Sequence, residues 1–164
     1  MLIDTQRISD ARVCSAQRIL AELYNLVDAG SVTPSQIQRI ERETIFFLLE
    51  GGDAKKWDAG RPHSIAARQS CRRSELTYDH AIPLAMLKTG LRVAAVCPIR
   101  MNEFAQNWIQ GVVITREEDS RLTAAGLRNT LPTGANPGDK LARYRAVDIM
   151  FAADDEKKLE RAST

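Results

Sequence analysis

The chain has 164 residues, enough for one domain with its own core or a small domain with an accessory hairpin. Its 44% hydrophobic and 27% charged residues exclude a disordered chain, and no apolar run approaches the roughly 20 residues that span a bilayer. A net charge of +2 selects no partner by itself, so where the charges lie matters more than their sum.

The N-terminal stretch from Met1 to Asp10 holds two aspartates and no hydrophobic signal core, which predicts a cytoplasmic protein. Ser9 or Asp10 can cap a first helix, in which Val13, Ala16, Ile19, Leu20, Leu23, Leu26 and Val27 recur at helical spacing until Gly30. Thr33-Pro34-Ser35-Gln36 is a capping-box pattern with proline at the first helical position. The helix it opens carries Ile37, Ile40, Thr44, Phe47 and Leu48 on one face, widened by Ile45, Phe46 and Leu49, and ends at Gly51-Gly52. Two such helices predict an antiparallel αα-hairpin over 1–52 whose apolar faces need each other or a partner. Adjacent Phe46 and Phe47 cannot both face one stripe, which raises a homodimer through this hairpin as one reading.

Between Asp53 and Ser74 six cations, Lys55, Lys56, Arg61, Arg68, Arg72 and Arg73, meet only two acids, Asp53 and Asp58. Asp58 to Pro62 reads as loop and Ser64 to Arg73 as a short basic helix, so 53–75 is expected to be a basic linker. The part over 76–151 reads as a small mixed domain with two or three short strands. Leu76 to Asp79 forms a strand, a helix follows around Pro83 to Lys88 and stops at Gly90, and Pro98 starts another helix. Val112-Val113-Ile114 is the clearest strand signal, and Thr115-Arg116-Glu117-Glu118 caps a helix directly after it. Thr130 to Asp139 is loop, Leu141 to Phe151 a last helix, and 152–164 a frayed tail. The expected class is helix-rich α+β.

Three cysteines, Cys14, Cys71 and Cys97, form no Cys-x-x-Cys pair and read as free, buried thiols. The chain lacks a Walker loop, a Gly-x-Gly-x-x-Gly turn and a Gly-x-Ser-x-Gly elbow, which removes support for P-loop hydrolysis, dinucleotide redox chemistry and serine esterases. His63, Cys71, Asp79 and His80 are metal-capable side chains, yet their spacing fits no standard zinc pattern.

The chemistry concentrates at Asp79-His80, where a strand delivers a carboxylate and an imidazole together and Pro83 turns the chain. Adjacent strand residues point to opposite faces, so both can serve one site only if the strand end twists. The bland reading makes Asp79 a turn cap and His80 a hydrogen-bonded structural residue. Asp79-His80-Ala81-Ile82-Pro83-Leu84 resembles the opening motif of the His-Asn-His, or ββα-metal, nuclease superfamily. That resemblance implies His80 as general base, Asp79 as ligand to Mg²⁺ or Mn²⁺, and Asn102 or Asn107 as the next site residue. It covers about ten residues, and the chain has no histidine after position 80 to close the motif.

Arg61, Arg68, Arg72 and Arg73 precede this motif, and a helix would set Arg68, Arg72 and Arg73 on one side to grip phosphates. Arg128, after a helix stop at Gly126, could project toward a site, and Arg143 and Tyr144 on the last helix could complete an anion pocket, with core packing the leading expectation for Tyr144. The leading expectation is a divergent metal-dependent nuclease acting on DNA or RNA. The alternative is a non-enzymatic nucleic-acid- or protein-binding regulator that uses the same basic surface.

Overall fold

The computed structural model describes residues 10–49 and 57–160. Expectations for Ser9, Gly51-Gly52, Asp53, Lys55, Lys56 and the last four residues lie outside the described residues, as do the side chains of Phe47, Leu48 and Leu49. The class is helix-rich α+β with an N-terminal helix pair and one two-stranded antiparallel sheet. The described chain divides into two compact units, residues 10–49 with 87–109, and residues 57–86 with 110–160.

In the first unit, helix α1 (Asp10–Asp28) buries Val13, Ala16, Leu20 and Leu23, the three- and four-residue spacing of a one-sided helix. Ile19 and Leu26, counted in the apolar stripe from sequence, stay about half exposed. Gly30, at φ +70°, ends the helix by turning its amide back to the Val27 carbonyl at 2.8 Å. Helix α2 (Pro34–Glu43) opens on the expected capping box: the Thr33 amide donates to Gln36 Oε1 at 2.9 Å and the Gln36 amide to Thr33 Oγ1 at 3.4 Å. Where an unbroken α-helix was expected, Thr44–Leu49 winds as a π-helical turn. The run Ile45-Phe46-Phe47-Leu48-Leu49 is apolar without a break, so no polar side holds it to the 3.6-residue period.

Helix α4 (Leu84–Ala94) begins in the second unit and continues into the first, where α5 (Pro98–Trp108) packs against α1. Gly90 does not stop α4. The Phe104 ring fills the space a Cβ at Gly90 would take, so this glycine serves close helix approach instead of termination. Buried Glu41 accepts from Arg92 Nε at 2.7 Å and from the Tyr24 hydroxyl at 3.1 Å.

In the second unit, β1 (Leu76–His80) pairs with β2 (Gly111–Thr115) in the register Tyr78 opposite Val113 and His80 opposite Gly111. Thr115 then caps α6 (Arg116–Ala124): its hydroxyl accepts from the Glu118 amide at 3.1 Å, and its amide donates to Glu118 Oε2 at 2.7 Å. The expected basic helix is cut short. Ser64 caps α3 (Ile65–Gln69), and the chain re-coils only as a 3₁₀ turn at Arg73–Glu75, so Arg68, Arg72 and Arg73 never share one helix face.

The last segments also differ from expectation. Helix α7 (Ala142–Arg145) is a single turn, because Asp148 at φ +55° reverses the backbone and Phe151 bridges to Ser64. The expected frayed tail is helix α8 (Ala153–Glu160), pinned by buried Leu159 and by Asp155, whose carboxylate takes Arg68 and Lys158. Ala81, Val112, Ile114, Leu122, Leu127, Leu141, Tyr144, Ile149, Phe151 and Leu159 form the core of this unit. The cysteines are free thiols, but Cys14 and Cys71 are exposed and Cys97 half-buried, against the expected burial.

Candidate nucleic-acid interface

The strand pairing decides the fate of Asp79-His80. Because the ladder stays regular through His80 opposite Gly111, the two side chains leave on opposite faces. Asp79 shares the face of Val112 and Ile114, which line the core; His80 shares the face of Tyr78, Val113 and Gly111. No twist at the strand end brings them to one point.

On the core side, the Asp79 carboxylate accepts from Arg143 Nη2 and from the Tyr144 hydroxyl at 2.8 Å. Arg143 is buried and donates also to the carbonyls of His80 at 2.7 Å, Leu127 at 3.0 Å and Arg128 at 3.3 Å. One guanidinium therefore ties the end of β1, the turn after α6 and α7 together, with Asp79 as its counter-charge. Burial first, then the Asp79 carboxylate, pushes the Tyr144 phenol well above its ordinary pKa, so it remains a donor.

These residues do not fit a divalent ion. Asp79 is already neutralised by a buried cation, and among the described residues no group of three His, Cys, Asp or Glu side chains stands close enough to hold a metal. Asn102 and Asn107 lie on α5 in the first unit, Asp79 and His80 in the second; Asn102 accepts from Gln106 Nε2 at 3.2 Å one turn along its helix. His80 packs its ring edge-on to Tyr78 with 5.3 Å between centroids, and its Nε2 is buried.

The other face of the sheet carries the rings of Tyr78, His80 and His63, with one cation, Arg61, over Tyr78. Residues 62–64 run along β2, with the Val113 amide donating to the Pro62 carbonyl and the Ser64 amide to the Val113 carbonyl, both at 3.0 Å. This aligns His63, Val113 and Tyr78 in one row. His63 Nδ1 donates to the Arg61 carbonyl at 2.8 Å, since a carbonyl can only accept. Arg61 lies over the Tyr78 ring at 5.3 Å, and the Tyr78 ring in turn covers Gly111, where no Cβ would fit.

Of the basic residues singled out from sequence, Arg68 is committed elsewhere: Nε and Nη2 bind Asp155 at 2.7 and 2.5 Å. Arg72 stays 79% exposed beside Glu75 at 3.8 Å, a loose pair that leaves its charge to solvent. Arg73 lies over the Trp57 indole at 4.8 Å. Arg128 is exposed after Gly126, lending its carbonyl to Arg143. Sequence reasoning missed Arg116, whose Nε donates to the Ser74 carbonyl at 2.7 Å, and Trp57. The pairing of Leu76 with Thr115 is what carries Arg116 to the 3₁₀ turn, a long-range register that no local pattern announces. Trp57 had a local signal, an aromatic inside the basic stretch.

Compared with known protein families, curated proteins and solved structures, the chain matches none. Among the described residues no helix is long and apolar enough to cross a membrane.

Proposed function

We propose that this protein binds nucleic acid through the phosphate backbone and does so without a catalytic metal at Asp79. The observation that carries this reading is the gathering of Arg72, Arg73 and Arg116 around the single turn Arg73–Glu75, beside Trp57. Guanidiniums bind phosphates in bidentate fashion and displace the counterions of the backbone, and an aromatic among them adds a surface for bases. The commitment of Asp79 to Arg143 and Tyr144 supports binding over hydrolysis.

The test is retention of labelled DNA and RNA oligonucleotides across a salt series, run beside a plasmid and RNA cleavage assay in Mg²⁺, Mn²⁺ and EDTA. Binding is expected to weaken steeply with salt, and Arg72→Ala with Arg73→Ala and Arg116→Ala should flatten the log–log slope by about 2. No binding at low salt sinks the proposal. Metal-dependent cleavage that disappears in His80→Ala would replace it with the nuclease reading.

A further inference from the structure

We infer that Arg73, held over Trp57, is a stacking platform for an unpaired base, which makes the ligand single-stranded nucleic acid. This rests on the reading above and names the substrate class of the same surface. Most arginine side chains on a protein surface are loose charges. Arg73 is exposed, yet its guanidinium is fixed 4.8 Å over the indole by a cation–π contact. A planar guanidinium held in this way offers charge and a flat π-surface at once, and flat cations stack on bases as aromatics do.

The segment that carries Trp57 is itself held in shape. The Gly60 amide donates to Asp58 Oδ1 at 2.8 Å, and the Arg61 amide to the Asp58 carbonyl at 3.0 Å, closing a tight turn. Four residues on from Trp57, Arg61 repeats the arrangement over Tyr78. Two guanidinium–aromatic couples thus join the same two stretches, 57–61 and 73–78. Arg72, next in the chain, and Arg116, bonded to the Ser74 carbonyl, add exposed charge near the first couple, suited to the phosphates of a strand whose base stacks there. A duplex keeps its base faces stacked on each other, so a platform of this kind serves an unpaired strand.

Trp57 and Trp108 are the two tryptophans of the chain, so Trp108→Phe leaves Trp57 as the sole reporter. Titration of that variant with oligothymidylate of about twelve nucleotides should quench the Trp57 emission. Trp57→Ala is expected to weaken binding of the oligonucleotide by about tenfold. Arg73→Lys keeps the charge and the contact with the indole while removing the planar surface. It should weaken binding several-fold with the melting temperature and the salt slope unchanged. A blunt duplex of equal length should bind at least about fivefold more weakly than the single strand.

If Arg73→Lys binds as the wild type does and Trp57 emission does not respond to saturating oligonucleotide, the couple is a structural staple and the inference fails while nucleic-acid binding stands. Equal or tighter binding of the duplex also overturns it. Absence of binding to any nucleic acid removes both this inference and the proposed function.

Discussion

Each unit of this protein contains one carboxylate, one arginine and one tyrosine in mutual contact, and the two trios are built in opposite senses. In the first unit the acid is the buried charge: Glu41 is fully enclosed, while Arg92 reaches it from a position 56% exposed. In the second the base is the buried charge: Arg143 is 1% exposed, while Asp79 keeps 20% of its side-chain surface in solvent. A buried carboxylate with two donors is satisfied locally. A buried guanidinium has more donors to place, and Arg143 directs its two Nη groups to two separate segments, the end of β1 and the turn after α6. The second trio is therefore an organising element of its unit, and the first is a single cross-brace between helices.

The largest effect that follows is at Arg143. Arg143→Met should cost about 3–5 kcal/mol in urea unfolding, because it leaves the Asp79 charge and the carbonyls of His80, Leu127 and Arg128 without their common donor. Arg92→Met should cost about 1–3 kcal/mol, since only the Glu41 carboxylate is stranded and Tyr24 still reaches it. Glu41→Gln should cost less again, because Arg92 can return to water. If Arg92→Met proves the more damaging of the two arginine variants, the contrast between the trios is wrong.

The first trio also has a spectroscopic signature. Burial, then the Glu41 charge and hydrogen bond, pushes the Tyr24 phenol above its ordinary pKa. Ultraviolet titration of Tyr24 should show it protonated beyond the usual tyrosine range, and Glu41→Gln should bring it part of the way back.

Two other buried ions sharpen the comparison at its ends. Burial pushes the Asp155 carboxyl up, but hydrogen bonds and charge from Lys158 and Arg68 outweigh this and hold it below the ordinary carboxylate value. A depressed folded pKa contributes stability above the unfolded value, lost as pH falls through the lower folded one. Asp155→Asn should therefore lower stability at pH 7 by about 1–2 kcal/mol and shallow the acid limb of the stability curve. Lys140 is the opposite case, since burial lowers its pKa to about 8. The folded state then disfavours the charged amine, so stability should rise between about pH 8 and the unfolded value of about 10.5. Lys140→Met should remove that rise.

Much of the local structure was legible in the sequence because its causes are local. The Thr33 and Thr115 capping boxes, the turn at Gly30 and the strand at Val112-Val113-Ile114 each depend on residues within four positions. Gly90 misled because a glycine that admits Phe104 looks the same in sequence as one that ends a helix. The short helices failed for the same kind of reason: residues 141–151 have helical composition, but the Ser64–Phe151 bridge bends them away from it.

The candidate site divides in the same manner. Sequence alone determined that Asp79 and His80 stand at a strand end and that a basic stretch precedes them. Tertiary structure decided everything that makes those residues a site. The regular ladder sends Asp79 to the core and His80 to the outer face, α8 claims Arg68 through Asp155, and the Leu76–Thr115 pairing delivers Arg116 to the 3₁₀ turn. Hydrogen-bond partners are chosen by distance in space, and three that shape this region lie 42 to 87 residues apart in the chain: Arg116 and Ser74, Arg143 and Asp79, and Arg68 and Asp155. Side-chain type says which partner a group needs; only the packed fold says which one it gets.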